Sequence, residues 1–302
     1  MAYFRCSAGA DAGGGATITV TYNSSFYNKT MTCSNGSKTY TKTTTSSGST
    51  EFSVKDEGTW TITCNGVSRT VYVTLNYSTQ MAVTKTVTVY SAANDTVSFT
   101  DAVGSKTVTT NASGQGSVAI TFIPPSQSIT FTSSVAKNPN NLSAAYSKNI
   151  NLTESSSSIK VMPDGALYWY GHISSITGGF NTDYTQNGGY KATVTYNTNS
   201  MTIHPASGYF QSVSTNNSIS TSGKTIKAKI IWPTYQSSMD SLYAIGVGNV
   251  TNWNASTFDG STRTSYNPTS GLMVVNCTAN GYVRIITTTG FGDGTLDFLF
   301  YE

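Results

Sequence analysis

The chain has 302 residues, enough for two or three domains of roughly 100–200 residues each. Only 10% of the residues are charged, against about 25% in ordinary globular chains, and Ser and Thr together supply roughly three residues in ten, which excludes a coiled coil or a long solvent-bridging helix. A hydrophobic share of 37% with 19 Tyr excludes disorder, and a net charge of +3 spread over scattered bases excludes nucleic acid and anionic membrane as partners.

The chain opens on Met1 to Cys6 (MAYFRC) and the small-residue run Ser7 to Gly15 (SAGADAGGG). Neither holds the apolar stretch of about 7–15 residues that makes a signal peptide, and no run approaches the roughly 18 apolar residues of a membrane span. The expectation is a protein made in a cytoplasm and released by lysis. Tyr3, Phe4 and Arg5 stand ahead of a glycine hinge, Gly13 to Gly15. Aromatic and Arg side chains dominate many protein contacts, so residues 1–15 read as a docking segment that anchors in a neighbouring subunit.

From residue 16 onward the period is two. Thr17 to Tyr22 (TITVTY), Thr59 to Cys64 (TWTITC), Thr70 to Leu75 (TVYVTL) and Lys85 to Tyr90 (KTVTVY) alternate Thr with apolar residues, the pattern of strands with one wet and one buried face. Asn35-Gly36 and Asn65-Gly66 predict type I′ hairpin turns. No segment carries a helical stripe, so helix should fall below about a tenth of the chain. Tyr40 to Val54 (YTKTTTSSGSTEFSV) is matched by Lys106 to Ile120 (KTVTTNASGQGSVAI), with Gly48 on Gly114, Met31 and Cys33 on Val97 and Phe99, and Phe52 and Val54 on Val118 and Ile120. An in-phase repeat of this kind marks two copies of one unit, placed at 16–80 and 81–153 with the boundary near Tyr77 to Met81. Cys33 and Cys64 point into the first unit and are a candidate disulfide, although a reducing cytoplasm favours free thiols.

Residues 154–302 hold no third copy. They contain three of the four Trp and seven or eight strand-like pieces, among them Ala166 to Tyr170 (ALYWY), Lys224 to Trp232 (KTIKAKIIW), Leu272 to Cys277 (LMVVNC), Tyr282 to Thr287 (YVRIIT) and Thr295 to Tyr301 (TLDFLFY), which fits a jelly-roll sandwich. The expected architecture is all-β: two tandem Ig-like sandwiches and then a larger jelly-roll-like one. Alternation puts Tyr168 and Tyr170 on one face of their strand and Leu167 and Trp169 on the other, and makes Trp169 and Trp232 core. Trp253, between Asn252 and Asn254, is the expected exposed ring and a candidate glycan contact.

Catalytic signals are thin. The two histidines, His172 and His204, stand apart, no G-x-S-x-G elbow occurs, and acids such as Asp164, Asp183, Asp240, Asp259, Asp293 and Asp297 read as turn residues rather than as a glycosidase pair. No CxxC or CxxH spacing suggests zinc. The chain is expected to be non-enzymatic, with no cofactor and no metal.

Gly48 to Ile62, with its Phe52-Ser53-Val54 strand and Gly-Thr-Trp-Thr-Ile return, resembles the Ig-like or transthyretin-like modules of tailed-bacteriophage virion proteins, and Thr109 to Phe122 resembles the same class. Asp164 to Gly171 (DGALYWYG) and Gly178-Gly179-Phe180 are similar to C-terminal domains of structural proteins from phages of Firmicutes hosts. The resemblance implies a virion protein, a head decoration or fibre or a tail or baseplate component, that contacts other virion proteins, self-associates, and has no catalytic residues. Two alternatives accompany it: a receptor-binding protein that takes a host glycan through its last domain, and a bacterial surface adhesin.

Overall fold

Thr on one side and Val, Ile or an aromatic on the other leaves a strand with a single face to bury, and the stable solution is a pair of sheets packed on those faces. The computed structural model shows this three times over. It describes residues 15–302 except 23, 125, 186–190, 207, 209, 210, 235–244 and 249–260, and the side chains of all of these but 182–185, 248 and 261–266.

The first sandwich contains β1 (Ala16–Thr21), β2 (Thr30–Ser34), β3 (Thr39–Thr43), β4 (Ser49–Val54), β5 (Gly58–Cys64), β6 (Val67–Val73) and β7 (Tyr77–Gln80). One sheet has the order β4-β1-β7, with β7 parallel to β1, and the other β3-β2-β5-β6. Ile18, Val20, Met31, Phe52, Trp60 and Ile62 fill the space between them.

The second sandwich contains β8 (Val83–Tyr90), β9 (Thr96–Asp101), β10 (Gly104–Thr109), β11 (Gln115–Phe122), β12 (Ser126–Asn138), β13 (Asn141–Thr153) and β14 (Ser158–Lys160). Its sheets, β11-β8-β14 and β10-β9-β12-β13, repeat the first topology strand for strand, with β14 parallel to β8. Because β14 completes a sheet with β8, this sandwich runs through Lys160 rather than ending at 153.

The duplication extends to single atoms. Gly48 and Gly114 both take positive φ, 75° and 72°, and their carbonyls accept from Tyr22 N and Ser91 N at 2.9 Å. Asn28 and Asn94, 66 residues apart, share the left-handed region, at 56° and 49°, which a short polar side chain tolerates better than most. Beside them lie the buried Thr44 and Thr110. Lys29 N donates to Thr44 Oγ1 at 2.9 Å and Asp95 N to Thr110 Oγ1 at 2.8 Å, while each hydroxyl donates onward to a carbonyl, of Phe26 or Ala92.

The turns divide. Asn65 and Gly66 both have positive φ (49° and 78°), as a type I′ turn requires. Asn35-Gly36 instead belongs to a four-residue loop, because Asn35 Oδ1 captures Ser37 N and Lys38 N at 3.0 and 2.7 Å. Cys33 and Cys64 are both free thiols. Cys33 stands opposite Ile62 and Cys64 opposite Met31, and such a diagonal offset puts Cα atoms about 7–8 Å apart, beyond disulfide reach. Burial raises the Cys33 thiol to about 11 and also raises Cys64. In the native protein Cys33 and Cys64 should therefore resist alkylation at pH 8, both should react once the chain is denatured, and the melting temperature should be the same with and without reductant.

The third sandwich contains β15 (Gly165–Trp169), β16 (His172–Ile173), β17 (Phe180–Thr185), β18 (Thr193–Tyr196), β19 (Met201–His204), β20 (Gln211–Thr215), β21 (Thr225–Ile231), β22 (Ile245–Gly248), β23 (Ser261–Asn267), β24 (Leu272–Cys277), β25 (Tyr282–Thr287) and β26 (Gly294–Tyr301). An eight-stranded sheet, β16-β15-β26-β21-β24-β23 with the β18–β19 hairpin on β26, packs on a four-stranded sheet, β17-β20-β25-β22. Leu167, Tyr168, Trp232, Ile285 and Leu299 lie between them, in a larger, jelly-roll-like body.

Candidate functional site

In the eight-stranded sheet, β15 and the end of β26 are buried on both faces. The sheet's second face carries Ala166, Trp169, Tyr170, Phe298 and Phe300, which pack on Ala92, Ala136 and Met162 from the second sandwich and its exit. Two bulges produce this. The β15–β26 register slips between Ala166 and Tyr168, and the β21–β26 register slips at Asp297, and each slip reverses the face of the residues beyond it. Leu167 and Tyr168 thus both point into the third core, while Trp169 and Tyr170 point into the joint. The alternation read from sequence, with Tyr168 and Tyr170 together, is corrected by these bulges and by the positive φ of Tyr170, 43°.

Trp169 is the hub. Its ring lies 4.8 Å from Tyr146, 5.3 Å from Tyr170, 5.7 Å from Phe298 and 6.2 Å from Phe300. The second sandwich reaches the joint through its long β12–β13 hairpin, which bends because β12 slips register between Thr132 and Lys137. Asp95, fully buried, holds the bend: its carboxylate accepts from Ser91 Oγ and Ser133 Oγ, each at 2.6 Å, from Ser134 N and Oγ, each at 2.9 Å, and from Val135 N at 3.1 Å.

Where the hairpin tip overhangs the third sandwich, a groove of about 590 Å³ opens. Asn138 and Asn140 form its rim, Tyr146 and Lys148 one wall, and Asp164 and Tyr301 the other. Gly165 sets its floor: a Cβ there would sit 2.0 Å from the Tyr301 carbonyl, so only glycine lets β15 approach β26 this closely. Lys148 Nζ donates to Met162 O at 2.9 Å and to Asp164 Oδ1 at 2.6 Å. Lys227 Nζ meets Glu302 Oε1 at 2.5 Å and Asn140 Oδ1 at 3.4 Å, and Lys224 Nζ stands 5.9 Å from the centre of the Tyr301 ring. Burial, reinforced by the Asp164 charge, pushes the Tyr146 phenol up to about 12, so its hydroxyl stays protonated at every physiological pH.

On the far side of the joint His172 Nδ1 lies 2.8 Å from Ser113 O, with its ring 6.0 Å from Tyr90. Burial is the largest influence on it and, with the Lys160 charge, lowers its pKa, against the Ser113 hydrogen bond, which raises it. The folded imidazole is therefore harder to protonate than the unfolded one, whose pKa is about 6.5. The stability due to this depression is full above that value and is lost as pH falls through the folded pKa. Melting temperature should drop between pH 7.5 and 5, and His172→Gln should flatten part of that slope.

His204 Nδ1 lies 2.9 Å from Asp293 Oδ2 and its Nε2 3.0 Å from Thr195 Oγ1. The order hydroxyl, imidazole, carboxylate is that of a hydrolytic relay, but Thr195 and Asp293 are exposed and the trio ties the β18–β19 hairpin to the turn before β26. The described acids are dispersed: Asp164 pairs with Lys148, Asp293 with His204 and Asp297 with Lys229. Among the described residues no group of three or more His, Cys, Asp and Glu could hold a metal, and no helix is long and apolar enough to cross a membrane.

Trp169 and Trp232 are buried. Tyr3, Phe4, Arg5, Asn252, Trp253 and Asn254 lie outside the described residues. The groove escaped sequence reading because Lys224 and Phe300 to Glu302, from much later in the chain, complete a lining begun by residues 138–148 and 163–165. The signal that could have pointed to it is the Asp164-Gly165 pair opening a strand with aromatics at 168–170.

No family model matches the chain, and no curated protein matches it. Among solved structures, a Streptococcal ancillary pilin aligns with 50% of this chain and 62% of its own length at 9% identity, with a TM-score of 0.21, too slight a likeness to bear on function.

Proposed function

We propose that the chain is a non-enzymatic structural component of a tailed-bacteriophage virion, docked on the particle at its N-terminal end and displaying its last sandwich outward. The observation that carries this reading is the absence of slack between the three sandwiches. Only Met81 and Ala82 separate β7 from β8, and both are buried in the first core, where Ile123 of the second sandwich also packs. The second and third sandwiches share the Trp169 joint. Such an array holds its last member at a fixed position, which suits a spacer or a fibre better than a catalyst that must open and close.

The proposed polarity has its own support. The two most exposed large apolar side chains among the described residues, Leu75 and Tyr72, both stand on the first sandwich, and they are the side chains that a contact there would cover. Other virion proteins are the proposed partners. Particles purified by density gradient should contain the chain at constant stoichiometry. Deleting residues 1–12 should abolish its incorporation, and Leu75→Asp should weaken it. Undiminished copurification of both variants would reverse the polarity.

A further inference from the structure

We infer that the groove between the β12–β13 hairpin and the start of β15 is a binding site for a neutral saccharide, a site shared by the second and third sandwiches. Its volume of about 590 Å³ lies within the range of roughly 300–1,000 Å³ for small-molecule sites. The chemistry of the walls narrows the ligand class. Three aromatic residues, Tyr146, Phe300 and Tyr301, stand among amides, carboxylates and ammonium groups, and a sugar presents both an apolar C–H face and hydroxyls that donate and accept.

The charges argue for neutrality. The two ammonium groups of the lining, Lys148 and Lys224, are matched by two carboxylates, Asp164 and Glu302, and Lys148 is already ion-paired with Asp164, so the lining carries no net charge to recruit an anion, whereas a hydroxyl can insert beside either partner of an intact pair. The walls are also organised in advance. Tyr146 is wedged edge-on against Trp169, Lys148 is fixed by two acceptors, and Asn140 is held by Lys227. Ligand binding therefore orders few side chains, which favours affinity. Since the groove spans the joint, an occupant would also brace the two sandwiches against each other.

The test is an array of neutral glycans probed with the full chain, followed by titration calorimetry with maltotriose, the N-acetylglucosamine trimer and the best array hit, and with 3′-sialyllactose as the charged comparator. A neutral saccharide is expected to bind, with affinity reduced at least about tenfold by Tyr301→Ala. Asn140→Ala and Lys224→Ala alter exposed side chains, so they should reduce affinity several-fold without shifting the melting temperature, and they keep the test decisive if Tyr301→Ala fails to fold. An array with no neutral ligand, binding that survives all three substitutions, or binding confined to the sialylated sugar overturns the assignment. None of those outcomes touches the particle reading, which stands or falls on copurification.

Discussion

Replacing Trp169 with alanine is expected to cost about 3–5 kcal/mol, the range for removing a buried aromatic whose surroundings cannot collapse. Trp169 is fully buried and four aromatic rings pack on it. The loss should fall unevenly along the chain. The first core, with its own Trp60, shares no residue with the joint, so calorimetry should show one transition unmoved and the remainder lowered and separated. Trp169→Phe should be much milder, because the indole N–H has no hydrogen-bond partner and its removal relieves a buried polar group. A uniform shift of all transitions, or an alanine cost below about 1 kcal/mol, would show that the joint is not cooperative.

Asp95→Ala should be comparably severe for a different reason. The carboxylate is the common acceptor for Ser91, Ser133, Ser134 and Val135, and its removal leaves buried donors unsatisfied at about 1–3 kcal/mol each before relaxation. A net cost of about 3–5 kcal/mol is expected, with Asp95→Asn intermediate because one amide oxygen still accepts. The bend at 133–136 is where Val135 and Ala136 enter the joint, so limited proteolysis should open that segment first. The double variant with Trp169→Ala should cost less than the sum of the two, since residues coupled through one structure are not additive. Chemical denaturation of the four proteins measures both claims.

The all-β architecture and the internal repeat were readable in the sequence because both rest on local rules. Alternation names the buried face of β1, β5 and β8, and the Gly48 and Gly114 match points to a shared backbone geometry that both residues adopt. What was missed depends on contacts distant in sequence. β14 is three residues long and exists as a strand only through its parallel pairing with β8, so no window around Ser158 reveals it. The faces of β15 follow from bulges that its pairing with β26 imposes. The offset of Cys33 from Cys64 is a matter of register between β2 and β5, which alternation leaves open by two residues. The joint looked in sequence like ordinary core, since a Trp buried between two bodies and one buried within a single body carry the same signal.

The parallel pairing of first and last strands also decides how the chain bears load. In the first sandwich β1 and β7 run side by side in the same direction, from Ile18 against Tyr77 to Thr21 against Gln80, and in the second β8 and β14 do likewise. Tension applied where the chain enters at β1 and leaves at β7 pulls these neighbours past each other along their length. Their hydrogen bonds are then strained together in shear, whereas a hairpin pulled at its open end peels one bond at a time. Each of the first two sandwiches thus has a mechanical clamp between its points of attachment, suited to a chain fixed at one end and tugged at the other.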